Sequence, residues 1–337
     1  MTQTNETIKN INYHQGAKIG TFHSYEVWVC EGVLETTRLP FALFLYNQES
    51  HLVSHEPKHL YSFRLQSNNS GQVGAILNIK TDPGTGEAIS LPQAPFGGVQ
   101  LQTDTPGEAI QYLLQCVENW CRARGLREIC IKAAPSFYDQ KQIDTARDAY
   151  LACGFSESGR INYHIPVSTS LFQECVSPAE KRRLKKAINA GLLGSVWTNP
   201  NPDEVYDFLL ESRTAQGYRL TISLPQLRHL LTHLPDAATV FTVRDGSTIA
   251  CLTVAIRASK EVLYNFCPAD TMDYRPFSPT VLLNATLYTY ARKEGIRFID
   301  LGTSLDHFGN KKPSLIRFKE GLGGVPSPKI TYRKILQ

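Results

Sequence analysis

The sequence has no run of 18 consecutive apolar residues, and its first 18 residues, Met1 to Lys18, are polar. Neither a membrane-crossing helix nor a secretory signal is therefore expected, and the expected location is cytoplasmic. Gly-x-Ser-x-Gly, a Walker-type phosphate loop and Gly-x-Gly-x-x-Gly are all missing, so hydrolase, nucleotide-triphosphatase and dinucleotide-binding readings lack their motifs. Cys-x-x-Cys is missing too. The eight cysteines (Cys30, Cys116, Cys121, Cys130, Cys153, Cys175, Cys251 and Cys267) are scattered, mostly in apolar segments, and are expected to be reduced core thiols. The 116/121/130 spacing fits no zinc template, and no metal is expected. His51, His55 and His59 recur every four residues, but Pro57 breaks any helix there. His229 and His233 share helical spacing without a Glu between them, which is the usual pattern of a surface pair.

What is present is globular composition: 337 residues, 42% apolar and 20% charged. Collagen, coiled coil and wholesale disorder are excluded. At about 100–200 residues per domain, two domains are expected. The net charge of +4 is unevenly placed. Residues 1–165 carry 13 Lys+Arg against 16 Asp+Glu, and residues 166–337 carry 22 against 15. The second half is thus the more suited to an anionic ligand, with a solvated basic face as the plainer explanation.

The chain repeats an order of elements. Gly71–Lys80 and Glu87–Leu91 are followed by a loop, a helix, the strand Leu126–Lys132, and Cys153-Gly-Phe155. Gly246–Ile256 and Glu261–Asn265 are followed by a helix, the strand Ile296–Gly302, and Gly321-Leu-Gly-Gly324. Gly125 and Gly295 lie 170 apart, as do Gly154 and Gly324. Asp245-Gly246 is a hairpin turn. One helix, near 106–124, opens at Thr105-Pro-Gly-Glu108 and carries an apolar stripe of Ile110, Leu113, Leu114, Val117 and Cys121. Its counterpart opens at Ser278-Pro279. Helices that lead straight into apolar strands imply α/β units, with part of each sheet parallel. A further capped helix runs from Ser177 to Gly191 through Lys181-Arg-Arg-Leu-Lys-Lys186. Two more are expected around Asp203–Gln216 and Leu224–His233. The domain boundary is placed near residue 170: a polar segment 1–20, a first domain 21–170, and a second domain 171–337.

The stretches Ser278-Pro-Thr-Val-Leu-Leu, Tyr290-Ala-Arg-Lys-Glu-Gly-Ile-Arg-Phe-Ile-Asp-Leu-Gly302 and Arg317-Phe-Lys-Glu-Gly-Leu-Gly-Gly324 resemble the Fem-type (peptidoglycan bridge-forming) GNAT-like transferases. The match extends over about 177–330, and over 20–165 it rests on the order of elements. The resemblance implies two tandem GNAT-like domains, each a mixed sheet flanked by helices, with the first degenerate. It implies N-acyl transfer from acyl-CoA, or from aminoacyl-tRNA, to an amine acceptor such as a small molecule or a peptidoglycan precursor. A non-catalytic protein binding a cell-wall precursor, a nucleotide sugar or a protein partner is the alternative.

The family's anion site lies at the helix start after the central hairpin, where free N–H groups meet the helix dipole. Here that is Arg275–Thr280. Arg275 fits the usual acyl-CoA signature, but Ser278 and Thr280 replace its glycines and Pro279 removes an N–H. An ordinary Ser-Pro helix start explains the same residues. By resemblance to the family's Phe-Lys motif, Lys319 polarises the carbonyl from a cleft rim. For the proton the candidates are Asp300 and Asp306, with Tyr264 as donor to a leaving group. Core packing is the plainer role of Tyr264 and Cys267, and a cap or salt bridge that of Asp300. Ala94-Pro-Phe-Gly-Gly98 reads as a turn. The cationic run 181–186 suits phosphate contact or a solvated face.

Overall fold

Apolar runs and helix punctuation fall into elements that build two compact units, Met1–Gly159 with Lys329–Gln337, and Arg160–Pro328. The computed structural model describes residues 16–35, 39–53, 58–306 and 309–336. Unit 1 begins with β1 (Ala17–Phe22), β2 (Tyr25–Glu31), the short α1 (Glu49–Leu52) and β3 (Leu60–Ser67). It continues with β4 (Val73–Asp82), β5 (Glu87–Ile89), β6 (Gln100–Leu101), α2 (Gly107–Arg122), β7 (Glu128–Lys132), α3 (Gln140–Ala152) and the start of β8 (Ser156–Pro166). Unit 2 takes the rest of β8, then α4 (Phe172–Cys175), α5 (Pro178–Asn189), β9 (Leu193–Val196), α6 (Pro202–Ala215) and α7 (Leu224–His233). There follow β10 (Ala238–Asp245), β11 (Thr248–Arg257), β12 (Val262–Asn265), β13 (Ala269–Asp270), α8 (Pro279–Lys293), β14 (Phe298–Thr303), α9 (Pro313–Gly321) and β15 (Val325–Ile335).

The repeat read from the sequence is real in three dimensions. β4, β5, α2, β7, α3 and β8 recur as β11, β12, α8, β14, α9 and β15. In unit 1 the strands run β1-β2-β3-β4-β5-β7-β15, and in unit 2 β8-β14-β12-β11-β10-β9. Each sheet has one parallel pair, β5 with β7 and β12 with β14. The strand after each repeat's last helix serves the other unit. β15 pairs antiparallel with β7, Thr331 opposite Lys132, while Asn162–Pro166 of β8 pairs with β14. The division therefore falls at Gly159/Arg160 and again at Pro328/Lys329, not near 170. An unbroken strand crosses the first point, so there is no polar linker for composition to reveal.

The apolar stripe of α2 packs as its spacing requires. Ile110, Leu113, Leu114, Val117 and Cys121 are buried against Val27, Phe63, Leu77 and Ile129. Burying each such side chain contributes about 1.5–3 kcal/mol. In unit 2, Val281, Leu287, Tyr288 and Ala291 of α8 pack likewise with Phe241, Ala255, Leu263 and Ile299. Two expected caps differ. Thr105 does not cap α2, because its hydroxyl donates to Gly74 O at 2.9 Å. Ser278 does not cap α8 either; it sits in the left-handed region, φ 59° and ψ 47°. Ser177 does cap α5, accepting from Glu180 N–H. Helices α6 and α7 form within a residue of the expected places, and Gly246 turns the β10–β11 hairpin at φ 55°.

Candidate functional site

The site grows from the fork of the parallel pair in unit 2. β12 and β14 are in register at Val262–Phe298, Leu263–Ile299 and Tyr264–Asp300, and the pairing ends there. On its other side β14 pairs Asp300 with His164 and then Gly302 with Tyr163, which leaves Leu301 as a bulge. Gly302 sits at φ 70°, a conformation glycine adopts without strain. The Tyr264 ring lies over it, so that a Cβ at 302 would stand 3.5 Å from the ring.

Asp300, only 3% exposed, closes the bulge. Its Oδ1 accepts from Gly302 N–H at 2.8 Å and from the Asn162 carboxamide at 2.7 Å. Beyond the bulge, the carbonyls of Gly302 and Thr303 accept from Lys319 Nζ at 2.9 and 2.8 Å. The Tyr163 ring lies 6.0 Å from the same nitrogen. Lys319 is 6% exposed, so the expectation of a rim lysine is corrected. The reason is local. Lys319 sits in the last turn of α9, where its stem runs inward and two carbonyls await the head group. Burial pulls its proton affinity down to about 8, and Asp300 opposes that shift. Two of the three N–H bonds are committed, and the third can serve a substrate oxygen. Burial also pushes the Tyr264 phenol well up, with the Asp300 charge adding to the effect.

Lys319, Asp300 and Tyr264 thus come together. Arg275, Ser278 and Thr280 form a second group at the start of α8. Arg275, in the 3₁₀ turn Arg275–Phe277, is held by Asp270 through two bonds of 2.8 and 3.0 Å. The N–H groups of Phe277 and Ser278 donate to Tyr274 O and Arg275 O, and Pro279 has none. Thr280 accepts through its carbonyl from the Asn284 carboxamide. Asp306 stands apart: its carboxylate and N–H pin a turn to Asn310. The Cys267 thiol is pushed up to about 12 by burial, which keeps it unreactive. Asn162, Tyr163 and His164 escaped the sequence reading. No motif marks them, and only the pairing of β8 with β14 brings them to the site. His55 and Pro57 lie outside the described residues; His229 and His233 stack at 4.7 Å. Among the described residues no three metal-binding side chains converge, and no helix there is long and apolar enough to cross a membrane.

Unit 1 serves as an internal control. Gly86 O accepts from Arg127 and Glu128 N–H as Glu261 O accepts from Arg297 and Phe298 N–H. After α3, Phe155 N–H closes on Tyr150 O at 3.0 Å; after α9, Gly324 N–H closes on Lys319 O at 2.9 Å. The left-handed glycine of the second cap is therefore Gly323, not Gly324. By these shared bonds Tyr150 holds the place of Lys319, Cys130 that of Asp300, and Ile89 that of Tyr264. The polar trio is absent from unit 1. Its fork is filled by the segment 90–98, where Gly97 N–H bonds Lys132 O and Lys132 Nζ bonds Pro92 O. Ala94–Gly98 is thus a plug rather than a simple turn. The Tyr150 hydroxyl accepts from Val99 N–H at the end of this plug.

Comparison with known proteins agrees with this architecture. Residues 200–312 match the acetyltransferase (GNAT) domain family. By sequence, no curated protein is significantly similar. The crystal structure of FemX superposes with a TM-score of 0.65 at 14% identity, covering 89% of this chain and 94% of that one. The C-terminal domain of a lysylphosphatidylglycerol synthetase from Agrobacterium fabrum gives 0.54 at 11% identity, over 78% and 81%. A tandem GNAT protein from the clavulanic acid biosynthesis pathway gives 0.50 at 15%, over 82% and 83%. The chain has a tandem GNAT fold like that of FemX, and residues 200–312 of its second unit match the acetyltransferase (GNAT) domain family.

Proposed function

We propose that the protein is an N-acyltransferase whose chemistry lies in unit 2. Lys319 holds the developing oxyanion and Asp300 sets the local charge, while Tyr264 gives its proton to the leaving group and regains one from the amine nitrogen as the new C–N bond forms and the bond to the donor breaks. The observation that supports this best is the contrast between the repeats. The same fold is satisfied by Tyr150, Cys130 and Ile89 in unit 1, so a buried ammonium and carboxylate in unit 2 are not a requirement of packing. Burying Lys319 as a cation is costly, and an oxyanion site of this kind repays that cost in rate.

The acceptor is an amine, as on a small molecule or a peptidoglycan precursor. Of the two donor classes, thioester of coenzyme A or ester of transfer RNA, the start of α8 favours the second. Its proline, its two committed N–H groups and the Asp270-bound Arg275 leave little to hold a pyrophosphate. The cations of α5, which packs beside the Arg275–Phe277 turn, suit a polyanionic donor. One observation favours the non-catalytic alternative: the Tyr264 ring lies in the fork where an acyl chain would pass. The deciding experiment offers aminoacyl-tRNA or acetyl-CoA with peptidoglycan-precursor amines and reads products by mass spectrometry. Product from the tRNA ester, lost in Lys319→Met, supports the proposal. Product from acetyl-CoA alone reverses the donor assignment, and none with either donor supports the binding role. Calorimetry of acetyl-CoA, with Arg275→Ala as control, tests the donor separately.

A further inference from the structure

Asn162 is fully buried and comes from β8, the strand that crosses from unit 1 into unit 2. Its Nδ2 donates to Asp300 Oδ1 at 2.7 Å and to Tyr163 O at 3.3 Å, while its Oδ1 is buried without a partner. Keeping an unsatisfied acceptor in the core costs about 1–3 kcal/mol, and an apolar residue would avoid it. What the carboxamide gains is control of Asp300, a carboxylate with the Lys319 ammonium among its neighbours. The chain of contacts is short. Asn162 fixes the Asp300 side chain, Asp300 holds the Gly302 N–H, and the bulge so fixed turns the Gly302 and Thr303 carbonyls toward Nζ.

We propose that Asn162 is a positioning residue for the Lys319 site: it keeps the Asp300 carboxylate on the bulge and off the ammonium, so that the cation stays available to substrate. This rests on the reading of Lys319 as the catalytic cation. Among the described residues, the charged and titratable groups around it are Asp300 on β14, Tyr163 on β8, and Glu320 on α9, which accepts from the Tyr163 hydroxyl. His164 on β8 and Tyr264 on β12 both stand opposite Asp300.

The test is an NMR titration of the whole protein with 13C-labelled lysine, the Lys319 resonance being assigned as the one lost in Lys319→Met. In Asn162→Leu the Asp300 carboxylate keeps the Gly302 N–H but loses the carboxamide that holds it back, so it shifts toward the ammonium, and the Lys319 midpoint rises by about one pH unit or more. Its kcat falls at unchanged KM, and the alkaline limb of the kcat profile moves with the midpoint. A folded Asn162→Leu protein with an unmoved midpoint overturns the proposal, whatever its melting temperature. Should that variant not fold, Asn162→Ala removes the same bond from a smaller side chain. The midpoint again rises, and an unmoved one overturns the proposal. The titration needs no turnover. Absence of transfer in the wild type would count against the catalytic reading alone, and the midpoint would still decide whether Asn162 governs Lys319.

Discussion

Lys319→Met separates the cost of a buried charge from its use. The ordinary lysine value of 10.5 is drawn down to about 8 in the folded chain, chiefly by burial. The sign follows directly. Below pH 8 both folded and unfolded chains carry the proton, and the folded one bears the desolvation cost. Between 8 and 10.5 the folded chain sheds the proton first, so the unfolded state binds more protons and stability rises with pH. At 1.36 kcal/mol per unit, the wild type gains about 3 kcal/mol on Lys319→Met between pH 7 and pH 10.5. The lost bonds to Gly302 O and Thr303 O shift the whole difference curve but not its slope. Urea unfolding of both proteins at pH 7, 8, 9 and 10 measures it. A flat difference would refute the burial argument and return Lys319 to the rim. In the same variant transfer falls about 100- to 1,000-fold, the cost of one oxyanion donor. In the wild type, kcat falls as pH rises through about 8, since the cation is the active form.

Other expectations follow from the same geometry. Tyr264→Phe keeps the ring and loses the hydroxyl; stability changes by less than about 1 kcal/mol, and kcat falls at least about tenfold if the phenol feeds the leaving group. Activity equal to wild type would remove Tyr264 from the site. Ser278→Gly relieves a left-handed serine and stabilises by about 1 kcal/mol, raising Tm by about 2–4 °C; a lower Tm would show that the serine makes a compensating contact. At Gly324, an added Cβ would stand 2.5 Å from Lys319 O. Gly324→Ala is therefore expected to displace the end of α9 and lower both stability and kcat, and unaltered kinetics would contradict it.

Much of the fold was legible because it obeys local rules. The Ser177 cap, the Asp245-Gly246 hairpin and the α2 stripe are short-range signals, and each appears where the residues put it. Of the two caps that failed, one lost to a tertiary partner and the other to a local turn. Thr105 finds Gly74 O, and Ser278 is held by the 3₁₀ turn before it. Of the site, Lys319, Asp300 and Tyr264 were visible as residues beside a motif. Their burial was not, since it depends on how α9 and β14 meet. Asn162 and His164 left no trace at all: antiparallel pairing over 138 residues of separation carries no pattern a single sequence can show.

The exchange of final strands makes unit 2, Arg160–Pro328, an uninterrupted stretch set inside unit 1. During synthesis, everything unit 2 contains has left the ribosome before Lys329 does, whereas β7 must wait for Thr331–Ile335 of β15 to cover its open edge. An early-made domain is thereby finished late. Until then it offers unpaired N–H and C=O groups to any passing strand. Residues 329–336 thus act as a fastener for the first part of the chain. Their removal is expected to expose unit 1 to aggregation before it disturbs the fork around Lys319.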